Sequence, residues 1–225
     1  MSVASSTSSA RSASSRVGSV TEGIRESILR GDFVPGQRLV EIDLSEQFSA
    51  SRGAVRSALL ELATEGLVER MANRGARVRV VQLDEAIEIY EVRMAVEALC
   101  AAKAAERIDA AGIKELRAIG KDMKASVASG DIGRYRELNQ QLHSRVREIG
   151  GQQTAAAVLE RLRAQSVRQQ FKLASLPGRP RVSLPEHLAI ISAVCAGDPA
   201  AAERAVRDHL SSVMDAMRAA SRKDA

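Results

Sequence analysis

The chemistry that this sequence can perform depends first on three histidines, His143, His187 and His209, which are the full set in 225 residues. Neutral imidazoles are common ligands for late divalent metal ions, and helical bundles assemble such sites from facing helices. His187 lies ten residues before Gly197, and His209 lies ten residues after Pro199. If two antiparallel helices meet at this turn, both histidines lie at the same height. The spacing therefore favours a shared metal site.

Asn139 precedes His143 by four residues, so both side chains project from the same side of one helix. We predict that the three histidines bind one divalent metal ion per chain, with Asn139 as a weak or second-shell fourth partner. The alternative is that each histidine is a satisfied core or surface residue.

Helices must position these side chains, since the pattern from Leu83 onward is helical and rich in Ala, Leu, Arg and Glu. Five breaks delimit six predicted helices, and they fall at Ile108-Asp109, Gly130-Asp131, Gly150-Gly151, Leu176 to Pro180 and Gly197 to Pro199. We predict that residues 84–221 form an all-helical domain for effector binding and dimerisation. Residues 81–83 are the predicted hinge before it.

A second chemistry, recognition of DNA, is indicated by Arg52 and Arg56, one turn apart after a good N-cap residue, Ser51. The segment Glu41–Phe48 predicts a preceding helix, so the pair has the layout of a recognition helix and its support. The apolar positions that would pack the two helices are Leu44, Phe48, Val55, Leu59 and Leu62. The exposed end of the second helix is therefore cationic.

A hairpin should follow, because residues 67–71 and 76–80 alternate like two strands around the turn Asn73-Arg74-Gly75. Together these elements predict a winged helix-turn-helix over residues 20–80. Residues 1–80 contain eleven arginines, no lysine and nine acidic residues. Net charge is thus weak evidence here, and the positions of Arg52, Arg56 and Arg74 carry the prediction of DNA binding.

Composition narrows the class of protein further. No apolar run approaches the roughly 18 residues of a membrane span, and the N-terminus lacks the apolar core of a secretory signal, so we expect a cytoplasmic protein without a membrane partner. Aromatic residues make up 2%, which disfavours base-stacking platforms and favours duplex DNA. Cys100 and Cys195 have no metal-like spacing and are predicted free thiols. Residues 1–19, with nine serines, are predicted to be a disordered tail.

The N-terminal motifs are similar to those of the GntR-family DNA-binding domain. They are Ile28 to Gly31, Pro35 to Leu39, Ser51-Arg52, Val55-Arg56, Ala58-Leu59, Glu65 to Val68 and Asn73 to Gly75. The resemblance implies that Arg52 and Arg56 contact the operator and that the wing around Arg74 enters the minor groove. We assign Ser51, Arg38 and Gly75 to the same DNA-binding surface. The chain departs from the family at Gly53-Ala54, where Thr-Pro is usual, and at Ile42, where many members have arginine.

The C-terminal motifs resemble the FCD effector-binding domain of the FadR-type branch, and the six helices are similar to the VanR-like subgroup. They include Tyr90 to Arg93 with Glu97, Leu138-Asn139, Leu142-His143, Arg181, Ser183, Glu186-His187, Ile190-Ile191, Gly197-Asp198 and His209-Leu210. In that family an aspartate and three histidines hold a metal, whereas Asn139 stands here in the aspartate position. Because an amide is neutral, the metal keeps its full charge, which favours Zn²⁺ or Ni²⁺ over Mg²⁺ and favours an anionic effector.

Arg93 is the first candidate for binding that effector, and Arg181 and Ser183 are weaker candidates. Arg93 either forms an i,i+4 ion pair with Glu97 or faces the cavity, where its planar fork could hold a carboxylate.

The favoured function is a ligand-responsive transcription regulator, expected to be a repressor, that binds a palindromic operator as a homodimer and responds to a small organic acid. The alternatives are a metalloenzyme that uses the three histidines and a regulator whose metal is purely structural. Hydrolysis would need a carboxylate base at the metal. We expect the side chain of Glu186 to point away from it, because adjacent helix positions diverge by about 100°.

Overall fold

The computed structural model describes residues 6–71, 75–162 and 178–223. The chain divides into two compact units, Met1–Val81 and Gln82–Ala225. The division falls in the segment 81–83 that the sequence predicted as a hinge.

The first unit is a winged helix-turn-helix, which confirms the predicted fold class. Its elements are α1 (Ser6–Arg30), β1 (Arg38–Leu39), α2 (Glu41–Gln47), α3 (Arg52–Thr64), β2 (Val68–Met71) and β3 (Gly75–Val78). The predicted wing tip, Arg74, lies outside the described residues.

Helix α1 begins at Ser6 and so includes most of the segment 1–19 that the sequence predicted as a disordered tail. Val20, Ile24 and Ile28 recur every four residues and are buried, which anchors the C-terminal half of α1 against the unit. No proline lies within α1, so every residue of the helix keeps its backbone N–H.

The turn between α2 and α3 contains the predicted N-cap residue, Ser51. Ser49 adopts the left-handed conformation with φ 48°, and the Ser51 side chain accepts a hydrogen bond from Ala54 N at 3.2 Å. This bond caps α3 at the predicted residue. The inward face of α3 is formed by four buried residues, Val55, Ala58, Leu59 and Leu62. Arg52 and Arg56 therefore lie on its exposed face.

The wing is a three-stranded antiparallel sheet of order β1-β3-β2. β3 pairs with β2 through Val68↔Val78 and with β1 through Arg38↔Arg77. β1 was not predicted, because two residues are too few to show an alternating pattern. At Gly75, φ is +81° and an added Cβ would lie 2.6 Å from the Leu39 carbonyl oxygen, so this close approach of two strands requires glycine.

The second unit is all-helical over its described residues, as predicted. Its helices are α4 (Leu83–Arg107), α5 (Ala110–Ser129), α6 (Ile132–Gly150), α7 (residues 153–162), α8 (Arg179–Cys195) and α9 (Pro199–Lys223). Predicted breaks coincide with observed caps. Gly130 and Gly151 end helices in the left-handed conformation, while Asp109 and Asp131 accept backbone N–H bonds at the starts of α5 and α6.

Helix α4 packs against α6 and α9, and α8 packs against α9. Leu138 and Leu142 of α6, Ile190 of α8 and Leu210 of α9 are buried between these helices. None of the helices within the described ranges combines the length and apolar character needed to cross a membrane.

Candidate metal centre and DNA-binding surface

The three histidines come together inside the second unit, one from each of α6, α8 and α9. The ring centroids of His187 and His209 lie 4.4 Å apart, and each lies 5.4 Å from that of His143. One ring nitrogen from each histidine lies within 4.8 Å of the other two, a spacing that fits a single ion. The antiparallel turn at Gly197 brings His187 and His209 to the same height, as the spacing predicted.

A directional chain of hydrogen bonds fixes His187. Its Nδ1 lies 2.9 Å from the Tyr135 hydroxyl, which lies 2.8 Å from Ser183 Oγ, and Ser183 donates to the Arg179 carbonyl. Because the Arg179 carbonyl can only accept, the Ser183 hydroxyl donates to it and accepts from the Tyr135 hydroxyl. The Tyr135 oxygen in turn accepts from His187 Nδ1–H. This places the lone pair of His187 on Nε2, which is buried and has no hydrogen-bond partner among the described residues.

A carboxylate holds His209 in the same tautomer as His187, with the proton on Nδ1. Glu186 Oε2 lies 2.8 Å from His209 Nδ1, and Arg179 Nη2 approaches the same oxygen at 3.4 Å. An ionised carboxylate only accepts, so Nδ1 carries the proton and Nε2 keeps its lone pair. Glu186 is absent from the described lining of the histidine cavity and contacts the Nδ1 side of the His209 ring.

His143 faces a buried carboxylate on α4. Glu97 Oε2 lies 3.4 Å from His143 Nδ1, while Glu97 Oε1 accepts from Arg93 Nε at 3.0 Å and from Arg93 Nη2 at 2.7 Å. Although burial opposes ionisation, the charge of Arg93 and the contact with His143 hold the pKa of Glu97 below its usual range. The Nδ1 atom of every histidine in the cluster therefore has a polar partner, which is a common supporting arrangement for metal-binding histidines.

The surroundings favour the neutral form of the His187 and His143 imidazoles. Burial, together with the two neighbouring rings, lowers the pKa of His187 well below its ordinary value, and burial also lowers the pKa of His143 against the opposing effect of Glu97. Burial likewise raises the pKa of Tyr135 to about 12, so its hydroxyl keeps its proton. Neutral imidazoles offer the lone pairs that a metal ion needs.

A cavity of about 120 Å³ opens beside the cluster. Its described lining is basic, with Arg93, Arg136, Arg147 and Arg179 and no aspartate or glutamate. Three buried polar atoms of cavity residues have no hydrogen-bond partner among the described residues: Arg93 Nη1, Asn139 Oδ1 and His187 Nε2. One is a cationic donor and two are potential metal ligands, so the arrangement suits a cation together with an anion.

The structure reconciles the two interpretations of Arg93, which pairs with Glu97 and also lines the cavity. Ser183 lines it too. Arg181, in contrast, is exposed and absent from the lining, and the cavity arginine on α8 is Arg179. Positions 179, 183 and 187 are spaced by four and share one helix face, whereas position 181 is rotated by about 200° from position 179.

Four arginines of the first unit line one concave surface that encloses about 550 Å³, which we call the arginine surface. Its described lining includes four arginines and the glycine of the wing, namely Arg38, Arg52, Arg56, Arg70 and Gly75. Arg70 was missed in the sequence, because its place in the alternating strand pattern gave no sign that β2 would turn it toward the recognition helix. Ser51, beside this surface, acts as the cap of α3.

A winged helix-turn-helix followed by a helical domain with a histidine-lined cavity defines a transcription regulator with a ligand-binding domain. The model of the gntR family of bacterial regulatory proteins matches residues 17–78, and the FCD domain model matches residues 88–212, more than half of the chain. The chain belongs to the GntR family, with a C-terminal FCD domain, and is a DNA-binding transcriptional regulator.

The chain is similar to known regulators over most of its length. The HTH-type transcriptional repressor RspR of Escherichia coli is 29% identical over 196 residues, covering 85% of this chain and 86% of its own. The HTH-type transcriptional regulator LutR of Bacillus subtilis is 26% identical, covering 84% and 95%. Among solved structures, E. coli McbR/YncC has a TM-score of 0.77 at 19% identity, covering 90% of this chain and 97% of its own. The crystal structure of a putative transcriptional regulator GntR from Rhodococcus sp. RHA1 has a TM-score of 0.72 at 24% sequence identity, and the match covers 92% of this chain and 99% of that chain.

Proposed function

We propose that this regulator binds an operator as a homodimer and that a small carboxylate, held at a divalent metal ion in the FCD domain, controls that binding. The metal ligands are His143, His187 and His209, with Asn139 as the fourth partner. The observation that carries this proposal is that each histidine has its Nδ1 engaged, which leaves the three Nε2 lone pairs for one ion.

The residues present fit a metal ion. His187 Nε2 and Asn139 Oδ1 are buried polar atoms without a partner in the described chain, and a cation between them would satisfy both. Three imidazoles and one amide form a neutral donor set with nitrogen ligands predominating. Zn²⁺ and Ni²⁺ suit this set better than Mg²⁺, which prefers several oxygen ligands.

An anionic effector follows from the charges around the site. No acidic side chain belongs to the described cavity lining, although Glu97 and Glu186 behind that lining pair with Arg93 and Arg179. A dipositive ion would add positive charge to a space already lined by four arginines. Arg93 Nη1 offers a buried donor into the same space. A carboxylate could accept this N–H with one oxygen and approach the ion with the other, so small organic acids are the proposed class. The metal would supply Lewis-acid attraction for that oxygen.

The same lining argues against hydrolysis as the function. A metal-bound water needs a base within hydrogen-bond reach. Glu186 is engaged by His209 and Arg179 outside the cavity, and Glu97 is engaged by Arg93 and His143. Binding and release of an effector therefore accounts for the arrangement better than catalysis does.

In the first unit, Arg52, Arg56, Arg38 and Arg70 are the proposed DNA contacts, with Gly75 allowing the wing to approach the duplex. Arg74, which the sequence predicted as a wing contact, is proposed as a further one. A repressor role is the proposed mode, supported by the name of the E. coli relative.

Metal analysis of the purified protein tests the proposal most directly. Wild type and His187→Ala would be loaded with Zn²⁺, freed of excess metal and assayed for bound zinc, and each would then be titrated calorimetrically with acetate, malonate and citrate. We expect one ion per wild-type chain and none in His187→Ala, with carboxylate heat only in the metal-loaded wild type. Ser192→Ala, an exposed change on the same helix, serves as the control. Full zinc occupancy in His187→Ala would refute the site.

A further inference from the structure

Glu41 and Arg56 form a two-point ion pair on the arginine surface. Arg56 Nε donates to Glu41 Oε1 at 3.2 Å, and Arg56 Nη2 donates to Glu41 Oε2 at 2.9 Å. Glu41 is the first residue of α2, and Arg56 lies in the second turn of α3. The contact thus connects the two helices of the helix-turn-helix through a planar, side-on pairing of carboxylate and guanidinium.

This pairing occupies one edge of the guanidinium and leaves another open. A guanidinium has five N–H donors, and Glu41 takes the Nε–H and one N–H of Nη2. The remaining edge, formed by Nη1 and Nη2, is the edge that reads guanine O6 and N7 end-on. The Arg56 side chain is 64% exposed, so this edge is accessible to a duplex.

Glu41 also has an electrostatic effect on the surface around it. Among the described residues that line the arginine surface it is the single acidic one, beside Arg38, Arg52, Arg56 and Arg70. A fixed negative charge there weakens the attraction for phosphates at any sequence. It also reduces the freedom of Arg56 to swing from a base edge to a phosphate.

We infer that Glu41 is a specificity-determining positioning residue, which holds Arg56 to read one guanine and suppresses binding to unrelated DNA. The inference rests on the proposed role of this surface in DNA binding. Glu41 thus improves the discrimination between DNA sequences, although its negative charge repels the phosphates and lowers the affinity for DNA of any sequence. The Glu41–Arg56 pair therefore lowers the affinity for DNA of every sequence and increases the preference for one base pair.

The test compares selected and unrelated duplexes. Binding sites would be selected from a random duplex library with the wild-type protein, and the affinities of the full-length protein for the selected and a scrambled duplex would be measured at several salt concentrations. We expect Glu41→Gln to bind the scrambled duplex more tightly and to lose about tenfold of the specific-to-nonspecific ratio, with relaxed preference at one guanine. Its salt slope on scrambled DNA should become steeper.

Two further variants separate charge from position. Glu41→Asp keeps the charge but shortens the side chain, so it should lose the guanine preference while binding scrambled DNA as weakly as wild type. Glu46→Gln removes an equal charge from the exposed side of α2 and should leave the preference unchanged. In an Arg56→Ala background, Glu41→Gln should have no effect on the guanine preference.

Failure of this inference can be distinguished from failure of the proposed DNA surface. If Arg56→Ala abolishes the preference but Glu41→Gln behaves like Glu46→Gln, the role of Glu41 is refuted and the surface stands. If the wild-type protein selects no common sequence, or Arg56→Ala leaves the selection unchanged, both are refuted. Thermal unfolding of each variant would verify that the comparison is between folded proteins.

Discussion

Glu97 Oε2 lies 3.4 Å from Nδ1 of His143, inside the FCD domain. The other oxygen of the same carboxylate accepts two N–H bonds from Arg93. One buried carboxylate thus contacts both a candidate metal ligand and the proposed anion-binding arginine. Because the charge of Glu97 is shared between them, the two functions of the cavity are electrostatically connected.

Glu97→Gln should lower the affinity for Zn²⁺ by roughly 10–100-fold, the usual effect of removing a carboxylate that supports a metal-bound histidine. The amide keeps the size of the side chain but loses the charge that strengthens His143 as a ligand. Competition with a chromophoric chelator would measure the affinity, and Glu91→Gln, exposed on the same helix, is the matched control. Equal affinities in the two variants would mean that Glu97 serves only to neutralise Arg93.

Asn139→Asp should tighten Zn²⁺ binding and weaken binding of an anionic effector. The substitution replaces the neutral Asn139 Oδ1, which has no partner within the described ranges, by a charged oxygen. It therefore neutralises part of the charge of the ion that attracts the carboxylate. Gln140→Glu adds the same charge at the cavity edge one residue later and tests whether charge alone is sufficient. Metal competition and acetate calorimetry on the three proteins would be compared, and a parallel change in Asn139→Asp and Gln140→Glu would exclude direct ligation.

Arg52→Ala and Arg56→Ala should each weaken specific operator binding by about ten- to a hundredfold, since both side chains project from the first turns of α3. Fluorescence anisotropy on selected and scrambled duplexes at fixed salt would measure the loss. Arg30→Ala, an exposed change outside the arginine surface, is the control. Wild-type affinity in either recognition-helix variant would contradict the proposed docking.

The regulator should be a dimer with operator half-sites about one helical turn apart or less, because one winged helix offers a small interface with DNA. Sedimentation velocity at micromolar concentration, alone and with a selected duplex, measures both states. A monomer that binds its operator with undiminished affinity would overturn the expectation.

The sequence predicted the features that depend on local signals or on a recurring interval. Residues close in sequence were enough to predict the Ser51 cap and the helix breaks at Gly130 and Gly151. The equal distances from one turn were enough to predict that His187 and His209 meet. The partners of the histidine Nδ1 atoms did not follow. Tyr135 and His187 are 52 residues apart on different helices, and only the packing of those helices decides which hydroxyl reaches which ring.

The choice between Arg179 and Arg181 shows the same limit on a shorter scale. Both precede the histidine on one helix, and the motif favoured Arg181. Helical rotation places Arg179 with Ser183 and His187 at the cavity instead. The side chain that faces a cavity depends on the phase of the helix, which is fixed by packing against the neighbouring helices.

Metal-free protein should lose stability as the pH falls from 7 to 5. A histidine in the unfolded chain has a pKa of about 6.5, whereas burial lowers the pKa of His187 and His143 in the folded protein. Below about pH 6.5 the unfolded state therefore binds protons that the folded state does not, and the free energy of unfolding decreases by up to about 1.4 kcal/mol per pH unit for each such group.

Carboxylates affect the free energy of unfolding in a lower pH range. The pKa values of Glu97 and Glu186 are lowered by folding, so their contribution to stability is present above the unfolded pKa of about 4.3 and is lost below it. We therefore assign the slope between pH 7 and pH 5 to His187 and His143. Urea unfolding of chelator-treated protein across this range would measure it, and His187→Gln should flatten the slope. An unchanged slope in that variant would show that His187 accepts a proton in the folded state.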